Sequence, residues 1–337
     1  MFSTEQETSV QEEFVTVGKV RTAVLKLGHF KDNPENGHCV LMIIVPGNPG
    51  VPHFYEDFMQ KLYLHSRGRI PVWTLSHAGH TQPPGETLSL SDVYSTQEDV
   101  FGLEAQISHK VTFIKEHIPP SVSLILIGHS IGCYMILNML DQLADSQVLH
   151  CFLLFPTIER MAISPSGQFM TPILRHLRWL VVMVASFFSV LPRGYRLSLV
   201  QWWLRTVDYP DCVKEAILKT VTPFTANYAT YLGKIEMNTV TELQKDLLQK
   251  HSSKLSLYYG ACDHWAPKDY YNDLVTEFPK IDAHLCELNL KHAFVLHDQE
   301  SQQMARIVWQ WTQSRCQSIL LDDNDGTDTK WTHSDSY

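Results

Sequence analysis

The stretch SLILIGHSIGCYMILNML, residues 123–140, contains the pattern that decides the fold. It runs from a string of aliphatic residues through Gly-His-Ser-Ile-Gly at 128–132 into a second apolar run. The first run is typical of a buried strand and the second of a helix. A serine at such a junction occupies a sharp turn that lifts its hydroxyl above the carboxyl edge of a parallel sheet. The pattern therefore predicts Ser130 as a nucleophile, with Gly128 and Gly132 letting strand and helix approach closely.

A turn flanked by glycines with an incidental serine is the alternative interpretation of the same five residues. The preceding strand and the following helix are the context that favours the nucleophile. The pattern leaves its second position variable, so we expect His129 to be an ordinary surface or packing residue.

Strands alternate with helices on both sides of this stretch. The predicted strands are 39–50, 70–80, 121–128, 148–156, 254–263 and 282–289. The first of them ends in a Pro/Gly turn. The predicted helices are 54–66, 94–118, 131–143 and 294–314. This alternation predicts an α/β fold with a mostly parallel central sheet, right-handed crossovers and helices on both faces.

The alternation stops between residues 157 and 250, which predicts an inserted segment of helices that we call the cap. We expect a core formed by residues 16–156 and 251–316. We also expect a flexible N-terminus over 1–15, and a disordered tail over 317–337 because that tail is polar and acidic.

Composition excludes several classes of protein. The chain of 337 residues has a formal net charge of −9, which argues against a nucleic-acid partner. Its seven cysteines include no C-x-x-C pair, and its first residues lack the basic start and apolar block of a signal peptide. We therefore expect reduced thiols and a protein that faces the cytosol. There is no H-E-x-x-H pattern and no Gly-rich nucleotide fingerprint, so we expect no metal and no cofactor.

A serine nucleophile needs a base, and the base needs a residue that orients it. In this class of fold the order along the chain is serine, acid, histidine. Asp263 follows a predicted strand at the same edge of the sheet, and His292 lies in the loop after the last predicted strand. They are the predicted acid and base. Asp269 and His297 are the nearby competitors, and a helix cap is the alternative role for Asp263.

Two backbone N–H groups are expected to stabilise a developing oxyanion. One belongs to Ile131, directly after the serine. The other lies in the turn PGNPG at 46–50, where Gly47 and Asn48 are candidates and Asn48 is the predicted donor. A plain turn between strand and helix is the alternative interpretation.

Five blocks of sequence, in this order, carry a family resemblance: VPGNPG, GHSIG, LLFPTI, GACDHWAP and KHAF. Together they resemble the lipid droplet-associated hydrolases, a serine-hydrolase branch of the α/β-hydrolase fold, over about residues 30–315. The resemblance implies the same roles for Ser130, Asp263 and His292. It also implies a location at lipid droplets and the cytosolic face of the endoplasmic reticulum membrane, with sterol esters among the substrates. Pro46-Gly47 stands where many hydrolases of this fold have His-Gly.

The cap has a charge pattern of its own. From Arg160 to Val207 it contains six arginines and no Asp or Glu. The run WLVVMVASFFSVL at 179–191 has no charge, and as a helix it would be about 20 Å long, against about 30 Å of bilayer hydrocarbon. The segment is therefore too short to cross a membrane as a straight helix, and it is expected to lie in one leaflet or in a droplet monolayer.

The predicted contact segment extends over about 169–205. Its predicted contact residues are Trp179, Val181, Val184, Phe187, Phe188, Arg193, Arg196, Trp202 and Trp203. A helical cap that packs over the site, as in many soluble hydrolases of this fold, is the alternative. The absence of acids favours contact with lipid.

Two classes of function follow. The first is a serine ester hydrolase that acts on neutral lipid esters at a lipid monolayer or the endoplasmic reticulum surface, in lipid homeostasis. The second is a droplet coat or scaffold protein with weak or vestigial activity, and a soluble thioesterase or carboxylesterase is a third possibility. The intact set of Ser, Asp and His favours the first. The sequence predicts no particular protein partner.

Overall fold

Eight strands form one sheet in the computed structural model, which describes residues 9–29, 39–83, 85, 100–205 and 209–316. The strand order is β1-β2-β4-β3-β5-β6-β7-β8. The strands are β1 (Gln11–Val17), β2 (Val20–Leu27), β3 (Cys39–Val45), β4 (Val72–Leu75), β5 (Val122–His129), β6 (Val148–Leu154), β7 (Leu255–Gly260) and β8 (Asp282–Cys286). The β1–β2 and β2–β4 pairs are antiparallel, and the other pairs are parallel.

The sequence of the central strand β3 is almost continuously apolar because its side chains are buried on both faces of the sheet. Leu41, Ile43 and Val45 belong to the core on one face of the sheet, and Met42 and Ile44 belong to the core on the other face. All five side chains are buried. A strand buried on both faces has no position for a polar residue, so its sequence does not alternate.

Five helices cover the two faces of the sheet. They are α1 (Glu56–His65), α2 (Leu103–His117), α3 (Ile131–Met139), α10 (Lys268–Glu277) and α11 (Asp298–Arg315). Helices α2, α3 and α10 contribute to one core, and α1 and α11 contribute to the other. This arrangement confirms the predicted parallel sheet with helices on both faces.

The cap lies between β6 and β7. Its helices are α4 (Pro165–His176), α5 (Arg178–Val190), α6 (Arg193–Leu204), α7 (Asp211–Thr220), α8 (Pro223–Thr239) and α9 (Lys245–His251). Helix α8 packs against α4 and α5, whereas α9 packs against α3 of the core. Among the described residues, no single helix has both the length and the apolar character needed to span a membrane. The pair α4 and α5 meets both criteria together but is bent by 80°.

The prediction of a flexible N-terminus over residues 1–15 is wrong for its last five residues. Residues 11–15 belong to strand β1, so they are not part of a flexible terminus. This strand reads QEEFVTV and lies at the edge of the sheet, where one face is exposed and polar residues are tolerated. The sequence analysis missed both β1 and β2. Residues 1–8 and the predicted disordered tail 317–337 lie outside the described residues.

Some predicted helix boundaries also shift. Helix α2 begins at Leu103, after bends at 100–102, and residues 94–99 of the predicted helix lie outside the described residues. Helix α1 begins later than predicted because residues Pro52–Tyr55 form a 3₁₀ turn, and α11 begins later because Phe294–Leu296 form another. Helix α3 ends at Met139, not at 143.

Candidate active site

Ser130 lies in a strained turn between β5 and α3. Its φ of 55° is positive, which is uncommon for a residue with a side chain. A Cβ on Gly132 would lie 2.2 Å from the carbonyl oxygen of Val45, and a Cβ on Gly128 would lie 2.9 Å from the backbone of Cys133. Both positions therefore require glycine, since the strand, the turn and the helix touch there.

The structure brings Ser130, His292 and Asp263 together from three distant parts of the chain. His292 Nε2 lies 2.9 Å from Ser130 Oγ, and His292 Nδ1 lies 2.7 Å from Asp263 Oδ2. A carboxylate only accepts hydrogen bonds, so Nδ1–H donates to Asp263. In the neutral imidazole Nε2 is then free to accept the Ser130 O–H.

Asp263 is fixed by its surroundings in the loop after β7. Its Oδ1 accepts hydrogen bonds from the backbone N–H groups of Trp265 at 2.7 Å and Ala266 at 3.2 Å, which leaves Oδ2 for His292. Burial raises the pKa of Asp263, but the charge and hydrogen bond of His292 and the two backbone donors outweigh burial and lower it overall. The carboxyl group is therefore ionised at neutral pH.

The two competitors lie elsewhere. Asp269 is in the first turn of α10. His297 directly precedes α11, and its ring packs against Tyr209. Within the described residues, neither side chain is hydrogen-bonded to Ser130.

The turn at 46–50 lies against the serine. A Cβ on Gly47 would be 3.0 Å from Ser130 Cβ. The N–H of Gly47 donates to Tyr55 Oη at 2.7 Å, so this group is already occupied. Within the described chain the N–H of Asn48 donates to no protein group. Ile131 is the first residue of α3, so its N–H has no carbonyl one turn earlier to bond. Within the described residues, the N–H groups of both predicted donors, Asn48 and Ile131, are thus not hydrogen-bonded to protein groups.

The side chain of Asn48 has a role that the sequence analysis missed. Its Nδ2 donates to the carbonyl oxygen of Ala229 and to Glu236 Oε1, each at 2.9 Å. Both acceptors belong to α8, so the cap contacts this turn directly. A single glutamate within a cap helix shows no sequence pattern that would have indicated this contact.

The contact of Thr157 with Ser130 and the hydrogen bonds of His129, a predicted member of the serine turn, were also missed. Thr157 follows β6, and its Oγ1 lies 3.5 Å from Ser130 Oγ. His129 was expected to be an ordinary surface or packing residue, but both of its ring nitrogens are hydrogen-bonded, one to Tyr55 Oη and the other to the carbonyl oxygen of His292. A variable position in a motif carries no signal of such a contact.

The predicted contact residues of the cap divide into two groups. Five of the predicted apolar side chains on α5 and α6 are exposed: Trp179, Val184, Phe187, Trp202 and Trp203. We call these five the apolar face. Val181 and Phe188 are half-buried, and Phe188 packs against a small cluster of buried residues from α6 and α7.

The two predicted arginines differ as well. Arg193 is exposed and forms an ion pair with Glu215 of α7, whereas Arg196 is half-buried. The positive charge of Arg193 is therefore partly balanced within the cap.

The chain is similar to proteins of known family. The sequence model of the family described as lipid-droplet associated hydrolase matches residues 38–295. A lipid droplet-associated hydrolase of Gallus gallus is 39% identical over 315 residues, which cover 91% of this chain and 96% of that protein. One of Homo sapiens is 39% identical over 313 residues, which cover 90% of this chain and 95% of that protein.

A solved structure shows the same fold. A haloalkane dehalogenase of Agrobacterium tumefaciens aligns with a TM-score of 0.60 at 10% identity, over 91% of this chain and 97% of its own. At that identity the likeness concerns the fold alone. It confirms the α/β-hydrolase fold that the sequence analysis expects.

Proposed function

Because the chain belongs to the lipid droplet-associated hydrolase family, we propose that it is a serine hydrolase that cleaves neutral lipid esters, such as sterol esters, at droplet surfaces. One observation carries the proposal. An unbroken chain of hydrogen bonds runs from Ser130 Oγ through His292 to the ionised carboxylate of Asp263. A vestigial site has no need to keep all three groups within hydrogen-bond distance and correctly oriented.

The geometry supports acyl transfer through a covalent intermediate. As Ser130 Oγ attacks the carbonyl carbon of the ester, His292 Nε2 accepts the hydroxyl proton, and the carbonyl oxygen becomes an oxyanion. In the proposed site the N–H groups of Asn48 and Ile131 donate to that oxyanion. Asp263 holds the imidazole in position and stabilises its positive charge.

The two products leave in separate steps, first the alcohol and then the fatty acid. The bond to the alcohol oxygen breaks, and His292 gives its proton to the departing alcohol, which leaves an acyl group on Ser130. A water molecule then attacks the acyl carbon while His292 accepts its proton, the bond from the acyl carbon to Ser130 Oγ breaks, and His292 returns the proton to Oγ as the fatty acid leaves.

The apolar face supports a position at a lipid surface. Its five large side chains are exposed on two neighbouring helices, and removing apolar area from water stabilises by about 25 cal/mol per Å². We propose that this face enters the droplet monolayer or the cytosolic leaflet of the endoplasmic reticulum, with the core in the cytosol.

Labelling with a fluorophosphonate tests the nucleophile. The probe reacts with an activated serine hydroxyl, so the purified wild-type protein should be labelled at Ser130. Ser130→Ala should not be labelled, and Ser198→Ala, which removes an exposed serine of α6, should be labelled like the wild type. A folded wild-type protein that is not labelled would contradict the hydrolase and favour a coat or scaffold protein.

A comparison of substrates tests the ester class. Emulsified cholesteryl oleate, a long-chain acyl thioester and a short soluble ester are offered at equal concentration. We expect release of oleate from the emulsion, and its loss in Ser130→Ala. Faster cleavage of the thioester or of the short ester would favour the soluble thioesterase or carboxylesterase instead.

A further inference from the structure

Three hydrogen bonds join the turn at Gly47 to the backbone of His292. The N–H of Gly47 donates to Tyr55 Oη at 2.7 Å, and Tyr55 Oη lies 2.7 Å from His129 Nδ1. His129 Nε2 lies 2.8 Å from the carbonyl oxygen of His292. We call this chain the Tyr55–His129 bridge. It begins one residue before Asn48 and ends at the proposed base.

The direction of every bond in the bridge follows from elementary chemistry. The carbonyl of His292 can only accept, so His129 Nε2 carries the proton and donates it. Burial lowers the pKa of His129 to about 3, so the ring is neutral at pH 7 and Nδ1 is an acceptor. Burial raises the pKa of Tyr55, so its hydroxyl keeps the proton and donates it to Nδ1. The phenol oxygen then accepts from the N–H of Gly47.

The surroundings exclude water from the bridge. The Tyr55 side chain is 2% exposed and that of His129 is 6% exposed. The His129 ring lies edge-on to Phe155 and Phe294, with ring centroids 6.4 Å and 5.2 Å away. A bond broken here leaves a buried polar group without a partner, which is costlier than the same loss at the surface.

The bridge connects parts of the site that no strand or helix connects. Gly47 belongs to the turn after β3, and His292 belongs to the loop after β8 at the far edge of the sheet. His129 is the residue directly before Ser130. Acyl transfer needs the nucleophile, the base and the oxyanion donors held within a few tenths of an ångström of their working geometry.

We propose that Tyr55 and His129 are positioning residues that hold the oxyanion turn and the base loop in a fixed relation to Ser130. The inference rests on the proposed function for its kinetic consequence. Neither side chain touches the reacting atoms, and the bridge acts on them through Gly47 and the backbone of His292.

Removal of the Tyr55 hydroxyl alone distinguishes a hydrogen-bonding role of this side chain from a packing role. Tyr55→Phe removes only the hydroxyl, so we expect kcat to fall at least tenfold while KM stays within twofold. The matched control is Tyr134→Phe. Tyr134 is 5% exposed, and its hydroxyl accepts from Gln244 Nε2 at 3.3 Å, away from the bridge. The control should keep kcat within twofold. Equal kcat values in the two variants would overturn the proposal.

Substitutions of His129 test the second half of the bridge. A glutamine amide at this position retains an N–H that can donate to the His292 carbonyl, whereas leucine fills the space without a donor. We expect His129→Gln to react with the fluorophosphonate at least fivefold faster than His129→Leu. Equal rates in two folded variants would show that His129 only fills space.

Nitrogen-15 NMR tests the bridge without any activity. The ring of His129 should be the neutral tautomer with its proton on Nε2, and Tyr55→Phe should shift the Nδ1 resonance. A proton on Nδ1 would overturn the bridge. A wild-type protein with the expected spectrum but no fluorophosphonate labelling would contradict the proposed function and leave the bridge standing.

Discussion

The side-chain amide of Asn48 donates a 2.9 Å hydrogen bond to Oε1 of Glu236, and this bond joins the turn beside Ser130 to helix α8 of the cap. Glu236 is 3% exposed. Burial raises its pKa to about 7, and the bond from Asn48 only partly opposes this effect. A Cβ on Gly233 would lie 3.3 Å from Asn48 Nδ2, so the helix and the turn pack closely. The cap is therefore part of the wall of the site.

Replacing this carboxyl group should change how stability depends on pH. The pKa of Glu236 is about 7 in the folded protein, against an ordinary value of 4.5 that we assign to the unfolded chain. Between pH 4.5 and 7 the folded protein therefore binds more protons at this group than the unfolded chain does. The contribution of Glu236 to the free energy of unfolding declines as pH rises through this range. Glutamine keeps the acceptor for Asn48 and does not titrate. The free energy of unfolding of Glu236→Gln, relative to wild type, should therefore increase by up to about 1.4 kcal/mol per pH unit across this window. Urea titrations at pH 5, 6 and 7 measure it, and a constant difference would refute the assignment.

Removing the acid or the base should abolish most of the turnover. We expect Asp263→Asn and His292→Ala each to lower kcat by about 10³-fold or more, because the first loses the orienting carboxylate and the second loses the base. Their thermal unfolding should remain cooperative. Asp269→Asn and His297→Ala are matched controls that should keep kcat within about threefold. A large loss in the controls and none in the first pair would show that the acid and base are misassigned.

Charge on the apolar face should release the protein from lipid. Val184→Asp and Phe187→Asp together place two carboxylates on exposed positions of α5, where the fold tolerates them but a lipid surface does not. We expect the variant to leave the droplet fraction when cell extracts are floated on a density gradient. Arg193→Ala with Arg196→Ala should weaken flotation only slightly, because Arg193 already pairs with Glu215 and a droplet surface is nearly neutral.

Two further results complete that experiment. Phe188→Asp should unfold the cap locally, because Phe188 packs against buried residues of α6 and α7. It is therefore unsuitable as a test of lipid contact. If the folded double aspartate variant still floats with droplets, the apolar face is not the anchor and α5 is a cap helix.

Acid should destabilise the protein at pH values above the range in which ordinary carboxylates titrate. Burial lowers the pKa of His80 and His129 to about 3 and that of His150 to about 4, against an ordinary value of 6.5. The unfolded chain therefore binds more protons than the folded chain below pH 6.5, so each group lowers stability by about 1.4 kcal/mol per pH unit as pH falls from 6.5 towards 4. The raised pKa of Glu236 has the opposite effect on stability over this range, and it offsets the contribution of one of the three histidines.

Chemical unfolding at pH 6.5, 5.5 and 5.0 measures the acid slope. His150 is a convenient probe because its Nε2 pairs with Ser256 Oγ, outside the site. The loss in free energy of unfolding per pH unit should be smaller for His150→Gln than for the wild type, by up to about 1.4 kcal/mol. A flat wild-type profile between pH 6.5 and 5.0 would contradict the prediction.

Local patterns were sufficient to predict the α/β-hydrolase fold class with its mostly parallel sheet, although the antiparallel strands β1 and β2 were missed. The run before Gly128 is apolar because β5 is buried on both faces, and Gly128 and Gly132 are glycines because nothing larger fits there. Asp263 and His292 could be predicted because parallel strands bring the loops at their carboxyl ends to one edge of the sheet. The structure places His292 beside Ser130 and Asp263 beside His292.

The remaining contacts could not be predicted because they depend on packing between distant segments. Glu236 lies 188 residues from Asn48 along the chain, and His129 lies 74 residues from Tyr55. Neither pair has a spacing or a pattern that a single sequence displays. The edge strand β1 was missed for a different reason, since its exposed face carries the polar residues that usually indicate a terminus.

The connection between β6 and β7 has a consequence for how this protein can vary. Parallel neighbours need a crossover, and the whole segment between β6 and β7, which includes the cap and α9, supplies it. The order and direction of the strands depend on this crossover but not on its length, so helices α4 to α8 lengthen the connection without altering the topology of the sheet. Such a segment can be lengthened or shortened without changing the order of the strands, so the surface that the cap presents can change independently of the sheet that positions Ser130, Asp263 and His292. Among the described residues, a change of cap would also have to retain acceptors for the side-chain amide of Asn48, which Ala229 and Glu236 of α8 now supply.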